Sequence, residues 1–439
     1  MQLPEEFLES TRALMGDELF SQFLRGLDEE PPVTIRMNPL KCYYMPLNYE
    51  RRVSWCDVGF YLKTRPQFTF DPLFHAGLYY VQEASSMFIH EVLRQLVKEP
   101  VLMLDLCAAP GGKSTAARTR LPNGSVLVCN EPVRQRAQIL SENMQKFGHR
   151  DVVVTNNLPR DFRKAGLSFD VVLCDVPCSG EGMFRKDEGA VREWSPQNVE
   201  KCWRLQREIV SDIWPQLRDG GLLIYSTCTF NTKENEENVR WICEELGAEM
   251  VAVETQPEWN ITGSLLPGFD GPVYRFIPGK SRGEGLFVAV MRKASTLPLP
   301  TEGKSLRQMP NLQGLPLSIL HPAPPQLCNV QRSTFNVKPL PRPTPPASLA
   351  LLASLDKEAF PRVELSYQEA ISYLRGEALR LPADTPHGFV VVTYYHVALG
   401  FVKNIGSRAN NLYPDGWRIK STHVPNEPPT VLDLPKPVF

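Results

Sequence analysis

Five apolar runs spaced through the middle of the chain constrain its fold more than any other feature. They are VLMLD (101–105), SVLVCNE (125–131), DVVVT (151–155), FDVVLCD (169–175) and GLLIYST (221–227), with GLFVAVMR (285–292) as a later one. Helical stretches lie between them. RQRAQILSENMQKFG is amphipathic at helical period, and Ser195 with Pro196 opens a helix predicted over about 197–218. Asn231 with Glu234 three residues on reads as a capping box for a helix through about 246. Continuous apolar strands alternating with helices predict a mostly parallel, doubly wound α/β sheet covered on both faces. In such sheets ligands bind beyond the carboxyl ends of the strands, where Asp105, Glu131 and Asp175 stand.

The flanks differ. Phe7, Leu8, Leu14, Phe20, Phe23 and Leu24 recur at helical spacing, and TIRMNPLK (34–41) reads as a short strand ending at a proline turn. Proline makes up 40 of the 439 residues, and twelve of those fall in 297–347, a segment predicted to be a linker poor in helix and strand. Beyond it, a helical stretch at 366–379 precedes GFVVVTYYHVALGFVK (388–403), which reads as a hairpin of a small β-rich domain.

A formal net charge of −1 excludes a uniformly basic nucleic-acid binder, though not a local basic groove. The ten cysteines show no CxxC pair, which argues against a disulfide scaffold or a zinc site, and no metal is expected. The N-terminus has no signal-peptide pattern, and no run of about 18 apolar residues suits a membrane span. A reduced, cytosolic (cytoplasmic) protein is expected.

Three stretches carry chemistry. DLCAAPGGKS (105–114) is a strand, a glycine-rich turn and a helix start, where backbone N–H groups can approach an anionic ligand. Its CAAPGGKS portion misses the P-loop pattern only at Cys107, so a P-loop ATPase is a rival reading; GxGxxG is absent. Glu131, 19 residues past Gly112, ends the next strand and suits a ribose diol, as in an adenosine-containing cofactor. DVPCSGEG (175–182) and YSTCTFNTKENE (225–236) place Cys178 and Cys228 just past two strands, opening into one pocket with Asp175 if those strands are neighbours. Cys129, Cys174, Cys202 and Cys243 read as small buried hydrophobes. A thiolate can attack C6 of a pyrimidine and make C5 nucleophilic enough to take a methyl group from S-adenosylmethionine.

DLCAAPGGKS, DVPCSGEGMFRKD and STCTFNTKENE together resemble motifs I, IV and VI of the Sun-type RNA cytosine-C5 methyltransferases. TIRMNPLK and YYVQEASSM (79–87) resemble the family too. GFVVVTYYHVALGFVKN and NLYPDGW resemble the bacterial RsmF-type members with their small RNA-binding tails. The resemblance implies a Rossmann-like methyltransferase core and transfer of a methyl group from S-adenosylmethionine to cytosine C5 in RNA, expected to be small-subunit ribosomal RNA. It implies Cys228 as the nucleophile on C6, Cys178 assisting product release and Asp175 holding the base; the two cysteine roles stand open to exchange. It assigns Cys107, Ala108, Ala109, Pro110, Gly111, Gly112 and Lys113 to the cofactor turn, Glu131 to the ribose, and Asp175 to the cofactor site as well. Where the family usually has an acid near the adenine, this chain has TNNLPRDF, with Asn157 as the stand-in.

The resulting division is an N-terminal α+β RNA-binding region (1–95), a methyltransferase domain (96–296), a proline-rich linker (297–347) and a C-terminal β-rich RNA-binding domain (348–439) in a monomer. Arg134, Arg136, Arg160, Arg163, Lys164, Arg185 and Lys186 flank the strand ends and are candidates for phosphate contact, as is the basic stretch 277–308, with six Lys or Arg against two Glu. A non-catalytic RNA-binding protein is the remaining rival.

Overall fold

The computed structural model describes residues 3–42, 44–295, 316–321, 345–421, 423–429 and 431–434. Cys328, Lys304, Arg307 and most of the proline-rich stretch lie outside them.

The central sheet contains β5 (Leu102–Asp105), β6 (Val126–Asn130), β7 (Val152–Thr155), β8 (Phe169–Asp175) and β9 (Leu217–Thr227), side by side and parallel in the order β7-β6-β5-β8-β9. Alternate strand residues enter two cores. Met103, Leu127, Val152, Val171 and Ile224 join one; Leu104, Val126, Val128, Val172 and Leu223 join the other. Such two-faced burial explains why these strands read as unbroken apolar runs. The strand order reverses between β5 and β8, and that gap is where a doubly wound sheet opens a binding crevice.

Antiparallel strands extend this sheet: β10 (Ala248–Met250), β11 (Val273–Phe276) and β12 (Leu286–Lys293) on the β9 side. On the other edge β13 (Ile319–His321), from inside the proline-rich stretch, pairs with β7. The linker therefore supplies a strand where none is predicted. Prolines flank rather than interrupt it, and an edge strand needs donors on one side only. Leu317 and Leu320 pack into the two opposite cores.

Two helix expectations shift. The helix at Ser195 runs Pro196–Ile213, and β9 begins at Leu217, so the predicted end at 218 is too long. The next helix is Glu236–Leu246; Asn231 and Glu234 do bond reciprocally, but in the turn before it.

The N-terminal helix Glu5–Asp28 breaks its helical geometry at Gly16. Its aromatic face packs onto the loops after β8 and β9: Phe7 meets Phe184 at 5.0 Å between ring centroids, and Phe23 meets Phe230 at 4.9 Å. It is followed by a sheet of β1 (Val33–Met37), β2 (Tyr49–Val53), β3 (Cys56–Leu62) and β4 (Tyr79–Val81), ordered β2-β3-β1-β4. The C-terminal unit holds β14 (Arg362–Glu364), β15 (Gly388–Tyr394), β16 (Val397–Asn404) and β17 (Ala409–Asn411), with the helix Tyr367–Leu374 capped by Ser366. Ile35, Phe60 and Leu78 of the first unit share one apolar cluster with Ile371, Val390 and Val402 of the last.

Candidate active site

The turn after β5 is held by its neighbours. Ala108 N–H donates to Asn130 O at 2.8 Å, Arg136 reaches Ala109 O at 3.1 Å, and Asn143 reaches Pro110 O at 2.7 Å. Gly111, at φ 110°, adopts a conformation that favours glycine and leads into the helix Gly112–Arg120. Beneath that helix the two N-terminal stretches meet: buried Arg36 donates to Gln82 Oε1 at 2.7 Å and to the Thr115 hydroxyl. Nothing in the spacing of residues 36, 82 and 115 signals that contact.

Asp105 is fully buried and accepts from Ser114 Oγ at 2.6 Å. Burial lifts its carboxyl to about 7, with Ser114 and Lys113 working against the rise. Asp175 ends β8. Its Oδ2 accepts from Lys113 Nζ at 2.9 Å and its Oδ1 from Ser226 Oγ at 2.7 Å. Burial opposes the Lys113 charge, but Asp175, with Cys228 and Asp105 adding to it, holds the ammonium above its ordinary range. This lysine answers a carboxylate, unlike a P-loop lysine, which serves phosphates.

β8 and β9 are hydrogen-bonded neighbours with Asp175 opposite Ser226, so the loops that follow emerge together. The Cys178 and Cys228 sulfurs lie 3.2 Å apart, each half-buried, and Cys228 N–H points at Cys178 Sγ at 3.4 Å. Cys129, Cys174 and Cys202 are buried, as a packing role requires; Cys243 is partly exposed.

On the other side of the turn, Glu131 is 1% exposed. Its Oε1 accepts from Val133 N–H at 3.0 Å, while Oε2 makes no hydrogen bond and Arg136 approaches it only to 3.5 Å. A buried acceptor with a free lone pair suits a ribose hydroxyl. A cavity of about 240 Å³ lies there, walled by Cys107, Glu131, Val133, Leu158 and Pro177. Exposed apolar groups on Val133 and Leu158 would cover a flat base. Asn157 sits at the end of β7, but its amide is paired with the linker strand: Ser318 N–H donates to Oδ1 at 2.9 Å and Nδ2 donates to Ser318 O at 3.3 Å. One N–H and one lone pair of the amide remain beyond those two bonds.

The basic candidates divide. Arg134 and Arg160 are exposed, and Arg136 and Arg160 line the cavity. Arg163 pairs with Asp212, and Lys164 with Asp161. Arg185 is instead a buried structural residue, bonded to Glu284 and to Gly26 O, and Lys186 faces the same Glu284. In the basic stretch Arg282 pairs with Glu50, while Arg292 and Lys293 donate to backbone carbonyls of the 214–220 segment. A carboxylate distant in sequence thus meets Arg282, and backbone carbonyls occupy Arg292 and Lys293, while Lys304 and Arg307 lie outside the described residues.

Three family models match this chain: 16S rRNA methyltransferase RsmB/F over residues 93–292, the N-terminal domain of 16S rRNA methyltransferase RsmF over 3–84, and the methyltransferase RsmF PUA domain over 360–419. Proteins named ribosomal RNA small subunit methyltransferase F from Salmonella heidelberg and from Escherichia coli O157:H7 are each 31% identical, over 94% of this chain and 95% of theirs. Among solved structures, NSun6 from Pyrococcus horikoshii with SFG superposes with a TM-score of 0.55 at 21% identity, covering 66% of this chain and 98% of that one. A methyltransferase homolog from Pyrococcus horikoshii gives 0.54 at 23%, covering 66% and 100%. No helix among the described residues is long and apolar enough to cross a membrane. The cysteine pair, the glycine-rich turn and matches along nearly the whole chain converge: it belongs to the 16S rRNA methyltransferase RsmB/F family and is an S-adenosylmethionine-dependent RNA methyltransferase with an RNA-binding PUA domain.

Proposed function

We propose that this enzyme methylates C5 of a cytosine in small-subunit ribosomal RNA through a covalent bond between Cys228 and C6. The observation that carries the reading is the Cys178–Cys228 pair, 3.2 Å apart beside Asp175 and Lys113 at the strand switch. S-adenosylmethionine supplies an electrophilic methyl group when bound. The 107–113 turn and Glu131 would hold it, the free Glu131 Oε2 meeting its ribose.

The target base must leave its stack to reach Cys228, which suits a single-stranded or loosely paired site. The Cys228 thiolate attacks C6, and the displaced electron pair makes C5 nucleophilic. As the adduct forms, N3 takes up a proton from water, and Asp175, which also accepts from Lys113, accepts hydrogen bonds from that N3–H and the exocyclic amine. After C5 is methylated, loss of its proton re-forms the double bond and expels Cys228. Cys178, in contact with the Cys228 sulfur, assists that release.

The test is incubation of the protein with 16S rRNA, as free RNA and in the small subunit, followed by nucleoside mass spectrometry and denaturing gels. Wild type should yield 5-methylcytidine. Cys178→Ala should accumulate a denaturant-resistant protein–RNA adduct, and Cys228→Ala should form none. The reverse pattern exchanges the two cysteine roles; methylation at another atom overturns the reading.

A further inference from the structure

Two walls of the 240 Å³ cavity beside Glu131 are tied to each other through a pair of asparagines. One wall is the turn 131–133 after β6, and the other is 158–160 after β7. Asn156 Nδ2 donates to Glu131 O at 2.7 Å and to Pro132 O at 2.9 Å, which holds the first wall. Asn157, directly before the second, donates its N–H to Asn130 Oδ1 at 3.0 Å, and Asn130 Nδ2 returns a bond to Asn157 O at 2.9 Å. Asn130 is fully buried and also bonds Leu106 O and the Thr155 hydroxyl, so its amide is fully used.

Both asparagines are in turn held by one residue of the proline-rich stretch. Ser318 O accepts from Asn156 N–H at 2.9 Å, and the Ser318 N–H and O take the Asn157 amide from both sides. All of these bonds use the Ser318 backbone, and its side chain is exposed. Among the described residues no other group bonds the Asn156 N–H or the Asn157 amide. The chain then continues along β7, with Ile319 opposite Thr155, and Leu317 and Leu320 anchor it in the two cores.

Resting on the cofactor placement proposed above, we infer that the linker strand completes the S-adenosylmethionine site: Ser318 fixes Asn156 and Asn157, and these set the spacing of the walls that receive the cofactor. Ser318 and Asn156 are thus positioning residues. With β13 seated, the walls are ordered before the cofactor arrives; without it, binding would have to order them, at a cost in affinity. The effect falls on binding rather than on methyl transfer, because Cys178, Cys228 and Asp175 follow β8 and β9, whereas Ser318 bonds at the end of β7. The segment between the catalytic and C-terminal units therefore does more than span a distance.

Calorimetric titration of the full-length protein with S-adenosylmethionine tests this without RNA or turnover. Ser318→Pro removes the N–H that meets Asn157 Oδ1 and should raise Kd about tenfold, the worth of one hydrogen bond. Asn156→Ala, which releases the first wall, should do likewise. Ser318→Ala keeps every backbone bond and should retain the wild-type Kd. In methylation assays the KM for S-adenosylmethionine should rise with Kd while kcat stays within about twofold, a split that a strand serving stability alone would not give. A wild-type Kd in folded Ser318→Pro, or kcat falling as far as affinity, overturns the proposal. Should Ser318→Pro fail to fold, Asn156→Ala decides by the same criteria. Glu131→Ala, titrated alongside, separates the two readings. Weakened binding there with wild-type binding in Ser318→Pro and Asn156→Ala sinks only the role of β13; wild-type binding in Glu131→Ala sinks the cofactor placement itself.

Discussion

Lys113 Nζ donates to Asp175 Oδ2 at 2.9 Å, tying the cofactor turn to the end of β8 across the strand switch. Both side chains are mostly buried, so the bond is charge-assisted and little screened. Lys113→Met removes about 1.5–3 kcal/mol of such bonding. Steady-state assays should show kcat reduced about tenfold to a hundredfold. Unchanged kcat would mean that Asp175 is oriented by Ser226 alone.

Gly182 leaves no room for a side chain. A Cβ there would lie 2.7 Å from Cys228 O and 2.8 Å from Gly285 Cα, both rigid backbone. Gly182→Ala should push the two cysteine loops apart and lower kcat at least about tenfold. The KM for S-adenosylmethionine should stay within about twofold, because the turn lies on the far side of Asp175. An equal loss in both constants would argue for general misfolding.

Asp105 predicts a pH signature. Its folded carboxyl titrates at about 7 because it is buried, above the unfolded value of about 3.9. The folded state therefore binds the proton more tightly, and this contribution to stability, complete below about pH 4, is lost as pH rises through about 7. Asp105→Asn escapes that loss. Thermal melts should show its Tm gaining on wild type between pH 5 and pH 8; a constant difference would refute the assignment.

Arg275 and Glu236 form a fully buried, two-bond ion pair at the start of the helix that follows the Cys228 loop. Arg275→Met strands the Glu236 charge and should cost about 3–5 kcal/mol in denaturant titrations. The double variant Arg275→Met, Glu236→Leu should recover part of that loss.

The sequence exposes features that follow a period or sit at a strand end. Cys178, Cys228 and Asp175 are visible because each follows an apolar run, and parallel strands must open their carboxyl ends on one side. Which way Glu181 and Glu234 turn is hidden, because each bonds the backbone of a partner loop about fifty residues away. Asn231 and Glu234 have the spacing of a helix cap and bond as one would, yet here the pair serves a turn. Arg185 looks like a phosphate ligand until Glu284, 99 residues on, is brought against it. β13 escapes notice because three residues are too few for a period, and the surrounding prolines mask them.

The apolar cluster shared by the first and last units has a consequence for biosynthesis. Leu47 N–H donates to Val431 O, and Asp433 N–H to Met45 O, so the last described residues are laced to the first sheet unit. The methyltransferase sheet is in effect spliced into an outer unit whose halves are separated by more than two hundred residues. Translation delivers the N-terminal half first. Its apolar face stays uncovered until the segment from about 365 to 434 has emerged, so the RNA-gripping end of the enzyme is completed only after its catalytic sheet.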